Sequence, residues 1–167
     1  MNNYEKAKDK CNMLINQKFQ YIGRTCEIIY LGFGDTFIRE NSKGEKREIA
    51  KYSIHIQCPF RIYNKHGIIL GTDDLYIPAN NNEIHVDLDK QNSTNFDYFL
   101  EKINKQLLEN EYVRNINIQI NGDLFIIMQN FTFSLFIASF DHEAWRLFET
   151  NTEKEHLVIS GNKIDFV

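Results

Sequence analysis

The feature that most constrains the fold is a strict two-residue alternation between Ala50 and Ile62. In the segment AKYSIHIQCPFRI, apolar side chains at even positions alternate with mainly polar ones at odd positions. A β-strand points successive side chains to opposite faces, so this pattern predicts one packed face and one open polar face. Such a strand is typical of an antiparallel sheet. Pro59 has no backbone N–H, which predicts a bulge, a bend or an edge position there.

The composition predicts one globular domain covering residues 1–167. Hydrophobic residues make up 43% of the chain and aromatic residues 13%, enough for one core at this length. No apolar run approaches the roughly 20 residues that span a bilayer, and the first residues lack the apolar core of a signal peptide. Cys11, Cys26 and Cys58 are an odd number without CxxC spacing, which favours reduced thiols. We therefore expect a cytoplasmic protein without membrane association.

The charge of the chain argues against nucleic acid as a partner. The formal net charge is −4, and residues 85–167 carry 7 basic and 13 acidic side chains. Phosphate backbones are bound by lysine and arginine, so an acidic chain is poorly suited to them. The acidic second half suits a basic protein surface instead.

Two segments, 3–17 and 95–109, have the apolar spacing of amphipathic helices. The second begins with the spacing of a capping box, formed by Thr94 and Asp97. The other regular segments have the period of strands and lie mainly at 19–33, 46–63, 68–77, 113–138 and 156–166. We therefore predict an α+β fold, in which two helices cover a mainly antiparallel sheet of about six to nine strands, flat or strongly curved.

Candidate binding residues lie on the open face of the central strand. His55, Gln57 and Arg61 would project together there as a recognition row, although an ordinary solvated sheet face has the same pattern. Trp145 and Arg146 form a second candidate binding pair, because tryptophan and arginine are favoured anchors at interfaces. The alternative for Trp145 is a core position, since tryptophan is usually highly buried.

One set of residues has metal-ligating chemistry. His85, Asp87 and Asp89 are spaced two apart, so an extended backbone would place all three on one face. An imidazole with two carboxylates suits a hard metal ion, whereas a polar edge-strand face explains the same pattern. We predict no other cofactor.

The sequence predicts no catalytic residue. Ser53, Ser134 and Ser160 stand in presumed strands without a GxSxG elbow, and Cys58 points with the apolar row, where a thiol is inert. His142 and Glu143 do not continue into HExxH, and GFGD does not continue into GxGxxG.

Four motifs resemble a family of small uncharacterised bacterial proteins. The motifs are YSIHIQCPFRI, GDLFI, EAWRLF and HLVISGNKI, and they span most of residues 50–164. That family has a central L-H-x-Q-C-x-W-R-I type strand and a closing W-R-F-F then H-F-V-x-x-G segment. Phe60 here replaces the expected Trp, and Leu147 replaces the first Phe after Arg146. The resemblance implies an immunity or accessory protein of a toxin or mobile-element locus, and it implies no catalytic residue.

The leading functional hypothesis is a non-enzymatic protein-binding factor, such as an immunity or anti-defence protein that occludes a toxin or defence component. It would use the open sheet face and the acidic second half. A second hypothesis is a small-ligand or nucleotide-binding module that uses His55, Arg61, Arg146 and nearby aromatics. A third is a metal-dependent hydrolase built on His85, Asp87 and Asp89.

Overall fold

The computed structural model describes residues 2–80, 84–106 and 110–167. Within these residues the chain forms two α-helices, one short 3-10 helix (Thr72–Leu75) and eleven strands. The elements are α1 (Asn3–Asn12), β1 (Phe19–Thr25), β2 (Ile28–Glu40), β3 (Lys46–Ile56), β4 (Phe60–Asn64), β5 (Gly67–Gly71), α2 (Asn95–Gln106), β6 (Asn115–Ile118), β7 (Leu124–Ile127), β8 (Thr132–Leu135), β9 (Glu143–Glu149), β10 (Leu157–Ser160) and β11 (Lys163–Phe166).

The strands form two antiparallel sheets, and neither closes on itself. The six-stranded sheet has the order β1-β2-β3-β9-β10-β11, and the five-stranded sheet has the order β5-β4-β8-β7-β6. The α+β class and the antiparallel pairing are as predicted from the sequence. The chain nevertheless uses eleven strands in two sheets where one sheet of about six to nine was expected.

The core lies between the inner faces of the two sheets. The ring of Phe19 in β1 lies 5.4 Å, between centroids, from that of Phe133 in β8. Trp145 of β9 is fully buried, and its indole N–H donates to the carbonyl of Gly122, 2.9 Å away, in the β6–β7 turn. Each sheet buries the apolar face of the other, and neither helix lies over the middle of a sheet; both helices add buried side chains, such as Ala7 and Phe96, to the same core.

Each helix instead packs against one edge strand of each sheet. Helix α1 contacts β6 and β11, where Tyr4 donates to the Ile118 carbonyl (3.0 Å). Helix α2 contacts β1 and β5, and its Phe96 ring meets Phe60 of β4 at 6.0 Å between centroids. The outer faces of the central strands are therefore left without a helix over them. Neither helix in the described part of the chain is long and apolar enough to cross a membrane.

The central alternation holds, but the predicted strand 46–63 is two strands in different sheets. β3 ends at Ile56 and β4 begins at Phe60, with Pro59 at the crossing. The even-numbered residues stay buried on both sides of the break, including Ile54 and Ile62. The bend at Pro59 thus passes one continuous apolar row from one sheet to the other.

The first predicted helix is shorter than expected, and the second is described over most of its predicted length. The helix predicted over 3–17 ends at Asn12, and Asn16 adopts a left-handed φ of 66° while its N–H donates to the carbonyl of Val113. The helix predicted over 95–109 is described through Gln106, and its last three positions lie outside the described residues. Its capping box is confirmed, because Thr94 and Asp97 exchange bonds of 3.1 and 3.2 Å.

Strand boundaries also differ from the prediction. The segment 19–33 turns at Cys26, whose φ is 51°, and β2 then runs on to Glu40 through a bulge near Gly34. In the segment 68–77, the strand ends at Gly71 and a 3-10 helix follows. The Gly71 N–H donates to the Asp74 carboxylate (2.9 Å), which caps this short helix. The strand β9 was not predicted, although it lies in the middle of the sheet and pairs with both β3 and β10.

A buried ion pair connects α2 with β1. Arg24 is 2% exposed and donates twice to Asp97, with both bonds at 2.7 Å. The same guanidinium donates to the carbonyls of Leu88 (2.7 Å) and Lys90 (2.6 Å) in the loop before α2. Sequence reasoning missed Arg24, since an arginine in a strand is usually exposed.

Candidate binding faces

The outer face of the six-stranded sheet carries a set of polar and aromatic side chains that we call the polar face. Its members are Tyr21, Tyr30, Ser53, His55, Arg146 and Phe148. The register places Tyr30 opposite His55, and His55 opposite Arg146. Ser53 lies opposite Phe148 in the neighbouring row. Four adjacent strands, β1, β2, β3 and β9, therefore contribute to this face.

Two tyrosines of the polar face pack closely over glycines of the neighbouring strand. A Cβ at Gly23 would stand 2.5 Å from the Tyr30 ring, and a Cβ at Gly32 would stand 2.5 Å from the Tyr21 ring. Any side chain at either glycine would displace a ring, so glycine is required for this close approach. The two rings meet at an angle of 76° with their centroids 6.1 Å apart, and the Tyr30 ring lies 6.5 Å from that of His55.

His55 is half-buried among aromatic rings. Its ring meets Phe148 edge to face at 4.9 Å, and His156 stacks on the same Phe148 at 4.7 Å. Burial lowers the pKa of His55, and the positive charge of Arg146 lowers it further. Burial likewise lowers the pKa of His156, with a further contribution from Arg146. Both imidazoles are therefore held toward the neutral form.

These lowered pKa values predict a loss of stability in mild acid. Below the ordinary histidine pKa of about 6.5, the unfolded chain binds more protons than the folded chain, so the free energy of unfolding falls as pH falls from about 7 to about 5. Replacing His55 with glutamine is expected to flatten this dependence in urea unfolding measured across that range. The control variant is His66→Gln, in the exposed β4–β5 turn, and an equal flattening in both variants would contradict the account.

The structure separates the five residues predicted to bind. Gln57 and Arg146 both lie near His55, and both donate hydrogen bonds to the Glu143 carboxylate. The Gln57 amide donates at 3.3 Å, and the Arg146 guanidinium donates at 2.6 and 2.5 Å. The hydrogen bonds from Arg146 lower the pKa of Glu143. Arg61 lies on the other sheet, so the predicted row of His55, Gln57 and Arg61 is wrong. Trp145 is in the core, so its interpretation as a surface anchor is also wrong.

The outer face of the five-stranded sheet carries little charge, and we call it the apolar face. Its members are Arg61, Tyr63, Ile68, Phe125, Ile127 and Phe136, and the neutral polar residues Asn115, Asn117, Thr132 and Ser134 lie between them. The register sets Ile68 opposite Tyr63, and Arg61 in the next row opposite Ser134. The guanidinium carbon of Arg61 lies 4.7 Å from the centroid of the Phe136 ring. The sequence did not predict this face, because it gives no sign that the chain changes sheets at Pro59 and so carries Arg61 away from His55.

The predicted metal set is not assembled. The segment from Ile84 to Lys90 is not a strand, and it turns where the Lys90 N–H donates to the Asp87 carbonyl (3.1 Å). The Asp87 carboxylate pairs with the Lys90 ammonium (3.1 Å), while the Cys26 thiol donates to Asp89 (3.3 Å). No group of three or more histidine, cysteine, aspartate or glutamate side chains is placed to hold a metal among the described residues. The expectation that His85, Asp87 and Asp89 share one face is wrong because Arg24 holds this segment as a loop.

Comparison with known proteins adds no functional information. A scan against protein-family models, a search of curated proteins and a search of solved structures each found no match. The resemblance to small bacterial proteins therefore stays a prediction from the motifs. Functional inference rests on the two outer faces.

Proposed function

We propose that the protein is a binding factor that recognises another protein through the apolar face. It would occlude a surface of that partner, as an immunity or anti-defence inhibitor does. The observation that carries the proposal is the charge pattern, since Arg61 is the only charged residue in the five strands of this sheet. Solvent-facing sheets normally carry many charges, whereas the centres of protein interfaces are depleted in charge and enriched in aromatic residues and arginine.

The exposed apolar area supports the same function. Ile68 is 67% exposed and Ile127 is 38% exposed, and both lie on one row of the apolar face. Phe125 and Phe136 are half-buried beside them, with ring centroids 6.2 Å apart. Tyr63 and Thr132 lie between these two isoleucines in the same row, so the face mixes apolar and neutral polar groups, as non-obligate protein interfaces do.

Arg61 is the expected anchor of the interface. Its exposed guanidinium stacks on Phe136 and makes no ion pair with any described residue. Two depressions flank it, of about 460 and about 320 Å³, and Arg61 and Ile68 line both. Asp73 and Asp74 also line the larger depression. A complementary partner would insert an apolar side chain into the smaller one, which Tyr63 and Ile68 line, and present one carboxylate to Arg61.

The acidic second half is a weaker candidate surface than its net charge indicates. Glu143 pairs with Arg146, and Glu149 pairs with Lys154 at 2.6 Å. Glu155 pairs with Lys6 of α1, also at a short distance of 2.7 Å. These carboxylates are neutralised by neighbours, so a basic partner would have to compete with existing ion pairs.

Native mass spectrometry of the protein purified from its own host tests the proposal. We expect a complex with a second polypeptide, which dissociates in denaturing spectra. Arg61→Ala is expected to weaken the complex by about 30-fold, the effect of losing an interface anchor of about 2 kcal/mol. Ile68→Asp is expected to abolish it, because a carboxylate would enter the apolar centre.

His55→Gln on the polar face is the matched control and is expected to leave the complex intact. Loss of the complex with His55→Gln but not with Ile68→Asp would contradict the proposal. Absence of any bound polypeptide in the wild-type spectra would also contradict it.

A further inference from the structure

A groove on the polar face has features of a small-ligand site. Beyond the bulge near Gly34, β2 and β3 pair only with each other, as a hairpin that extends past the neighbouring strands. The space of about 510 Å³ between hairpin and sheet lies within the range of about 300–1,000 Å³ typical of ligand pockets. Its lining includes Tyr30, Arg39, Arg47, Ser53, His55 and Phe148.

Two arginines face each other at the rim of the groove. Arg39 and Arg47 are directly opposite in the β2–β3 register, an arrangement that is unfavourable between like charges. Arg39 makes no ion pair with any described residue, and Arg47 has only a long, exposed contact of 3.7 Å with Glu45. The lining carboxylate, Glu48, accepts a hydrogen bond from Thr36. An anion between the two guanidiniums would relieve their repulsion.

The floor of the groove carries polar groups without protein partners. Ser53 is only 7% exposed, yet its hydroxyl makes no hydrogen bond to the described residues. The imidazole of His55 and the hydroxyl of Tyr30 likewise have no hydrogen-bond partner in the described part of the chain. All three residues line the groove, so their polar groups are available to hydrogen-bond a ligand that enters it.

Aromatic rings form the remaining surface. Tyr30 packs over Gly23, and Phe148 is perpendicular to His55 and stacks on His156, beside Ser53 in the adjacent row. Tyr30 is therefore the ring of this groove that is available to a planar ligand group, since stacking on a π-face tolerates any base. Arginine guanidiniums favour phosphate oxygens, which accept two parallel hydrogen bonds.

We propose that this groove binds a phosphate-bearing ligand with a planar ring, of the mononucleotide class. Arg39 and Arg47 would hold the phosphate, Ser53 and His55 would hydrogen-bond the sugar or base, and the Tyr30 ring would pack against the base. The groove and the apolar face belong to different sheets, so this site does not depend on the proposed protein partner.

Isothermal titration calorimetry on the full chain tests the site with AMP, GMP and inorganic phosphate as probes. We expect at least one nucleotide to bind more tightly than phosphate alone. The double variant Arg39→Ala, Arg47→Ala is expected to weaken that binding by at least about 10-fold, the effect of losing one charged hydrogen bond. Both side chains are exposed, so the variant is expected to fold, and its circular dichroism spectrum checks this.

Arg61→Ala is the matched control, because it removes the same charge from the opposite sheet. It is expected to leave nucleotide affinity within about twofold of wild type, since screened distant charges contribute little. No binding of either nucleotide at millimolar concentration would overturn the proposal, as would equal weakening by the control and the double variant. Phosphate binding as tight as nucleotide binding would overturn the role of the ring. None of these results bears on the complex tested by native mass spectrometry.

Discussion

Asp97→Ala is expected to lower the free energy of unfolding by about 3–5 kcal/mol, because it leaves the buried Arg24 guanidinium without its counter-ion. Arg24 donates to both carboxylate oxygens of Asp97, and this carboxylate also accepts the backbone N–H of Thr94 in the helix cap. The change therefore removes an ion pair and a cap together. Urea unfolding followed by circular dichroism at neutral pH measures the loss.

Glu155→Ala is the control, because it removes a carboxylate from an exposed ion pair with Lys6. Solvent-exposed pairs of this kind contribute little to stability, so the two variants are expected to differ several-fold in their effects. Equal, small losses in both would show that Arg24 is accessible to water and would contradict the buried pair.

The same pair contributes to acid sensitivity. Burial raises the pKa of Asp97, but the hydrogen bonds from Arg24 and Thr94 lower it by more, so the net shift is downward. A carboxyl group whose pKa is lowered by folding stabilises the protein above its unfolded pKa, near 3.8, and this contribution is lost as pH falls through the folded value.

Trp145→Ala is expected to lower the free energy of unfolding by about 3–5 kcal/mol, as large cavities in a core do. The side chain is fully buried, and its N–H bonds the Gly122 carbonyl in the β6–β7 turn of the opposite sheet. Its loss would therefore weaken both sheets. Circular dichroism is the suitable probe, since Trp145 is the only tryptophan in the chain.

Phe140→Ala provides the comparison, because Phe140 is an aromatic residue that is largely exposed. Its effect is expected to stay within about 0.5 kcal/mol of zero. A Trp145→Ala variant as stable as Phe140→Ala would mean that the indole lies at the surface, as the sequence-based binding hypothesis required.

Local sequence signals predicted the elements that depend on neighbouring residues. The capping box of Thr94 and Asp97 forms as its spacing indicates. Asn-Gly is a typical hairpin turn sequence, and β6 and β7 pair across Asn121-Gly122 with Gly122 at a φ of 92°. The alternation from Ala50 onward predicted which side chains are buried, because period two is a property of the strand itself.

Elements that depend on distant contacts were not predictable in this way. β9 lies between β3 and β10, and its pairing partners are far away in sequence. In the sequence, Arg24 has the pattern of an ordinary exposed strand residue, and only its contact with Asp97 in the folded structure identifies it as half of a buried ion pair. The candidate sites depend on the same long-range geometry, since the crossing at Pro59 puts His55 and Arg61 on different sheets.

Hydroxyl-radical footprinting of the purified complex with its polypeptide partner tests the central claim most directly. The method reports the solvent exposure of aromatic and aliphatic side chains, so it distinguishes the two outer faces of one protein. We predict protection of Ile68, Phe125 and Phe136 on the apolar face, with Tyr30 and Phe148 on the polar face unchanged. Protection confined to Tyr30 and Phe148 would contradict the assignment of the apolar face as the protein-binding surface.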